Sequence, residues 1–175
     1  MQLRDLIPWR AFDIETRWSP EVAAVALRRA IDEGSLLFGR GETASFVGHV
    51  RGPLGPFAEF TFKRRITYRN SFLPVIRVVV EPGRDGGTRL RVTMRLHFFV
   101  IAFMSVWMTG AIAGALGGLS AAMAGNAHGL GALVFPLFGV GMAVVPFALE
   151  AREARKLLCF IYADAPPARS EEPYR

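Results

Sequence analysis

The sequence predicts an α+β membrane protein. An N-terminal helix and about four antiparallel strands are interrupted by a two-helix transmembrane hairpin and closed by a C-terminal amphipathic helix. The hairpin is the firmest part, because 54 consecutive residues between Arg95 and Glu150 contain no Asp, Glu, Lys or Arg. Crossing the hydrocarbon core takes about 20 apolar residues, so this block holds two spans and a short connection. Upstream of it, apolar and polar residues alternate at strand spacing. Downstream, an apolar stripe recurs at helical spacing.

The first helix is announced by Ser19-Pro20-Glu21, an N-cap hydroxyl, a proline at the first helical position and an acid in the first turn. Ala23, Ala26, Leu27, Ala30 and Ile31 give it one apolar stripe, and Gly34 predicts its end near Glu33. Four strands are expected after it: Ser45–Val50, Phe57–Arg69, Val75–Glu81 and Thr88–Arg95. In the second, Phe60, Phe62, Ile66 and Tyr68 share one face. Turn-rich Pro82 to Gly87 separates the last two. The last strand alternates most cleanly and runs almost directly into the first span.

The spans are read as residues 96–116 and 130–149, with the Gly- and Ala-rich stretch 117–129 turning at the far interface. Pro136 and Pro146 are expected to bend the second span. Residues 150–163 continue as the amphipathic helix, with Ala154, Leu157, Leu158 and Ile161 on one side. The divisions are thus a cytoplasmic α+β part at 1–95, the hairpin at 96–149, the helix at 150–163 and a disordered tail at 164–175. A re-entrant second segment is the alternative to two full spans.

Charge sets the orientation. Residues 1–95 carry 16 Lys+Arg against 10 Asp+Glu, while residues 150–175 carry five of each. Arg89, Arg91 and Arg95 precede the first span, Arg152, Arg155 and Lys156 follow the second, and the connection has no basic residue. The positive-inside rule then puts both termini in the cytoplasm. The first twenty residues hold six charges and no apolar h-region, so no cleavable signal peptide is expected. Arginine outnumbers lysine 19 to 2, which fits a GC-rich bacterial genome. A multi-pass protein of the bacterial inner membrane is the expected setting.

Arg65-Ile66-Thr67-Tyr68-Arg69-Asn70-Ser71-Phe72-Leu73-Pro74-Val75, followed by Met94-Arg95-Leu96-His97-x-Phe99-Val100, resembles a group of uncharacterised small bacterial membrane proteins. In these a short β-rich cytoplasmic part leads straight into a two-helix hairpin. The resemblance covers residues 45–110. It implies the same architecture and supplies no activity.

The residues offer little chemistry. His49, His97 and His128 fall in a strand, at a membrane boundary and in the far connection, so they cannot converge on a metal, and Cys159 is the lone cysteine. Gly39-Arg40-Gly41-Glu42 lacks the Lys-Ser/Thr of a phosphate loop. No carboxylate pair or activated serine is evident. A non-enzymatic protein without cofactors is the expectation.

Two features point to partners. Lys63, Arg65 and Arg69 on one strand, with Arg89, Arg91 and Arg95 on another, form a candidate basic stripe for anionic lipid headgroups. A solvated face that merely enforces topology is the plainer reading. Gly110, Gly114, Gly117 and Gly118 form a candidate packing seam, either within the hairpin or between copies of the chain. The expected partners are therefore the bilayer, anionic lipids, and a second copy or another membrane protein. Nucleic acid is not expected, since the basic face has no aromatic stacking platform. An accessory or scaffold subunit is the leading role, with a lipid-sensing module and a small homo-oligomeric channel as alternatives.

Overall fold

The computed structural model describes residues 8–32, 45–68 and 70–163. The order is β1 (Trp9–Thr16), α1 (Pro20–Ala30), β2 (Ile31–Asp32), β3 (Phe46–Arg51), β4 (Glu59–Arg64), β5 (Val75–Pro82), β6 (Thr88–Arg95), α2 (Phe98–Met123) and α3 (Val134–Ala163). A 3-10 segment, Ala127–Leu133, leads into α3. The fold is α+β as expected, but its six-stranded sheet is mixed, in the order β1-β6-β5-β4-β3-β2. All pairings are antiparallel except β2 with β3.

Two strands were not expected, and they occupy the two edges. β1 precedes the first helix, which is therefore not the first element. Helix α1 then carries the chain across four strands to β2, which takes the last residues assigned by sequence to the helix. Ser19 caps α1 through its hydroxyl, which accepts from Val22 N–H. The expected second strand is shorter too, since β4 stops at Arg64. The tail at 164–175, the loop at Gly39–Glu42, the expected helix end at Glu33 and Arg69 lie outside the described residues.

The chain divides into two compact units. Among described residues, one comprises 9–68, 74–95 and 151–163, and the other Pro8, Asn70–Leu73 and Leu96–Glu150. In the sheet unit, alternation puts Phe46, Phe60, Phe62, Ile76, Val78, Val80, Leu90, Val92 and Met94 on one face, all essentially inaccessible to solvent. Helix α1 contributes Ala23, Ala24 and Leu27 to this core. The last turns of α3 join the same unit. The Tyr162 hydroxyl donates to the Ala23 carbonyl at 3.1 Å, and the Tyr162 ring meets Trp18 edge-on at 5.6 Å. The Arg155 guanidinium lies 4.9 Å from the centre of the Phe12 ring. The C-terminal helix thus packs on the sheet.

In the other unit, α2 and the segment Ala127–Ala163 are long and apolar enough to cross a membrane. At a rise of 1.5 Å per residue, the 26 residues of α2 reach about 39 Å, beyond the ~30 Å hydrocarbon core. The helix continues well past Leu116, so Gly117 and Gly118 are helical rather than part of a loop. Its three hydroxyls donate within the helix, Ser105 to Ile101 O and Thr109 to Ser105 O at 2.9 Å, and Ser120 to Leu116 O at 3.1 Å. Each hydroxyl is thereby satisfied without a partner from outside the helix.

Candidate functional site

The sheet unit presents its polar face in register. Across β1, β6 and β5 the rows read Glu15–Arg89–Glu81, Asp13–Arg91–Val79, Ala11–Thr93–Arg77 and Trp9–Arg95–Val75. Continuing the β4–β5 register by one residue brings Lys63 opposite Val75, and Val47 of β3 pairs with Lys63. The basic stripe therefore sits among acids contributed by strands that alternation in the single strands did not connect.

Ion pairs follow from that placement. Arg89 meets Glu15 and Arg91 meets Glu81, each at 3.2 Å, and Arg77 meets Glu59 at 2.8 Å. Arg65 follows β4 and reaches Asp32 on β2 at 2.6 Å. These exposed or half-exposed pairs each contribute at most about 1 kcal/mol to stability. Their larger consequence is neutralisation, because a guanidinium beside a carboxylate presents a short dipole instead of a net charge.

Lys63 and Arg95 differ from the rest. Neither makes an ion pair among the described residues. Burial pushes the Lys63 ammonium below the ordinary lysine value. Arg95 is exposed, and its β1 partner is the exposed indole of Trp9. The six predicted cations thus separate into three paired residues, two unpaired ones, and Arg69 outside the described set.

The glycine seam also separates. A Cβ at Gly118 would collide with the Gly129 carbonyl and the Ala132 side chain, so Gly118 serves a close approach inside the hairpin. Gly139 has the Trp107 ring in the place a Cβ would take. At Gly110, Gly114 and Gly117 a Cβ would meet nothing within 4 Å. Gly110 and Gly114 instead line an apolar groove of about 460 Å³, with Val106, Trp107, Ala111 and Phe135 among its walls. Glycine costs a helix about 1 kcal/mol relative to alanine, and three of these four gain no intrachain contact for it.

Two further groups had no sequence signal. Glu150 is buried, and the Asn70 amide donates to it at 3.5 Å, linking the β4–β5 loop to α3. Asn70 also accepts from Phe72 N–H at 2.9 Å, closing its own turn. The His97 ring accepts from Phe99 N–H at 3.4 Å, so this histidine caps α2. Among the described residues no three His, Cys, Asp or Glu side chains could hold a metal together.

No family model matches this chain, and no curated protein or solved structure is similar to it.

Proposed function

We propose that the chain is a non-catalytic accessory or scaffold protein of the bacterial inner membrane. The hairpin crosses the bilayer twice, both termini are cytoplasmic, and the sheet unit is held at the membrane surface. Exposed apolar side chains along both long helices support insertion, since a contiguous apolar surface this large is untenable in water. The basic residues flanking the hairpin support the orientation.

The observation that carries the scaffold role is the open glycine face of Gly110, Gly114 and Gly117. Small residues at this spacing let a neighbouring helix approach closely in lipid, where dispersion contacts drive association. Gly114→Leu extends into that groove from a position where a Cβ meets nothing within 4 Å. It should abolish the native-membrane complex on a blue-native gel while leaving the monomer folded. An unchanged complex would remove the scaffold role.

A second reading, recognition of anionic lipid, is favoured by one observation: among the described residues neither Lys63 nor Arg95 makes an ion pair. Salt-sensitive retention of anionic lipid by the purified full chain is its test, and indifference to salt would contradict it.

A further inference from the structure

We propose that Arg95 and Lys63, flanking Val75 on the polar face of the sheet and bordered by Trp9, form a binding row for the phosphate of an anionic phospholipid headgroup. This rests on the lipid reading above and narrows it from a six-residue stripe to one end of the sheet.

Arg65, Arg89 and Arg91 are each matched by a carboxylate, whereas the row Trp9–Arg95–Val75–Lys63–Val47 has none in it. It meets an acid only at Asp32 on β2, and Arg65 already holds that carboxylate at 2.6 Å. From β1 to β3, this is the one described row with two cations and no acid.

Geometry supports the same row. Adjacent strands lie about 4.8 Å apart, which places Arg95 and Lys63 about 10 Å from each other with Val75 between them. Val75 is short and apolar, so two long cationic side chains can lean over it toward one phosphate. Arginine grips phosphate oxygens with a planar fork and lysine adds a point charge. Trp9 is 54% exposed, and indoles favour the headgroup layer, where the ring is in apolar surroundings and the N–H is wet. Burial of the Lys63 ammonium leaves a charge that a bound phosphate would satisfy.

Chain connectivity puts a lipid phosphate within reach. Arg95 is three residues before Phe98, where the apolar helix α2 starts. Three residues extend at most about 11 Å, which bounds the distance from Arg95 to the start of that helix. A free phosphate shares the same charge; a lipid headgroup is favoured because Arg95 is three residues from an apolar helix.

The test uses the full chain in neutral detergent, titrated with phosphatidylglycerol or phosphatidylcholine of matched acyl chains, with bound lipid counted by native mass spectrometry. The wild-type chain should prefer phosphatidylglycerol by about tenfold or more. Lys63→Gln with Arg95→Gln should weaken that binding by about thirtyfold, the product of two surface cations. Arg89→Gln with Arg91→Gln should change it by less than about threefold, since those charges are already matched. Equal losses in the two double variants would overturn the row while leaving the broader stripe intact. No preference in the wild-type chain would overturn both. Displacement of the lipid by millimolar inorganic phosphate would show that the site takes a free anion, and the headgroup assignment would fail.

Discussion

The sheet unit and the hairpin obey opposite rules with similar residues. Phe46, Phe60 and Phe62 are fully buried in the sheet unit, whereas Phe98, Phe103 and Leu137 of the hairpin are 63–74% exposed. Polar groups invert as well. The sheet carries its charges outward and pairs them across strands, while the hairpin turns its serine and threonine hydroxyls back onto its own carbonyls. The change from one pattern to the other falls between Arg95 and Phe98. Large apolar side chains fill the core of the first unit and line the surface of the second.

The largest test of that contrast compares two phenylalanines. Phe62→Ala should cost the sheet unit about 3–5 kcal/mol through lost burial and a cavity. Phe103→Ala, facing outward from α2, should leave thermal unfolding of the full chain in detergent nearly unchanged. Equal destabilisation would mean that α2 packs in a protein core.

Glycines sharpen the comparison inside the hairpin. Gly118→Leu must push α2 away from the segment around Gly129 and should destabilise the hairpin by about 1–3 kcal/mol. Gly110→Leu should not, because its place is open. Interhelical disulfide cross-linking at cysteines introduced on each helix would separate the two.

Tyr162→Phe removes a buried hydrogen bond and should loosen the C-terminal helix from the sheet by about 1 kcal/mol. Burial also raises the Tyr162 phenol above the ordinary tyrosine value. Its stabilising effect is complete below about pH 10. It is lost as pH rises toward the folded value, because the unfolded chain releases the proton first. Alkaline unfolding monitored by circular dichroism should therefore shift upward in Tyr162→Phe. The smallest effect is expected for Glu15→Gln, at most about 1 kcal/mol and vanishing in high salt, since the Arg89–Glu15 pair is exposed.

Which features were legible in the sequence follows from how local their cause is. Ser19 and Pro20 announce α1, and the 54-residue uncharged block announces two apolar helices, because both signals lie in adjacent residues. β1 has a weak local signal because an edge strand is covered on one side only. Its inward residues, Arg10, Phe12, Ile14 and Thr16, are merely half-buried, and a charged residue among them blurs the alternation. β2 is two residues long and owes its existence to Phe46 and Val47 beside it, a contact no local pattern encodes. Gly- and Ala-rich residues 117–123 suggest a turn in water and form helix here.

The candidate sites show the same limit. Six cations could be read from two strands, but which were neutralised depended on Glu15, Glu81 and Asp32, brought alongside from distant positions. Likewise the four glycines look alike in sequence, and only the fold shows that Gly118 faces Gly129 while Gly114 faces open space. Burial of Glu150 depends on a loop eighty residues away in sequence.

The proposed topology, two crossings with both ends on one side, is tested most directly by cysteine labelling. Cys159 is the lone cysteine and is exposed on α3 beyond the apolar segment. A membrane-impermeant maleimide should label it only after spheroplasts are lysed. In a Cys159→Ser chain, Ala127→Cys at the hairpin turn should be labelled in intact spheroplasts. Labelling of Cys159 from outside, or protection of residue 127 until lysis, would contradict the account.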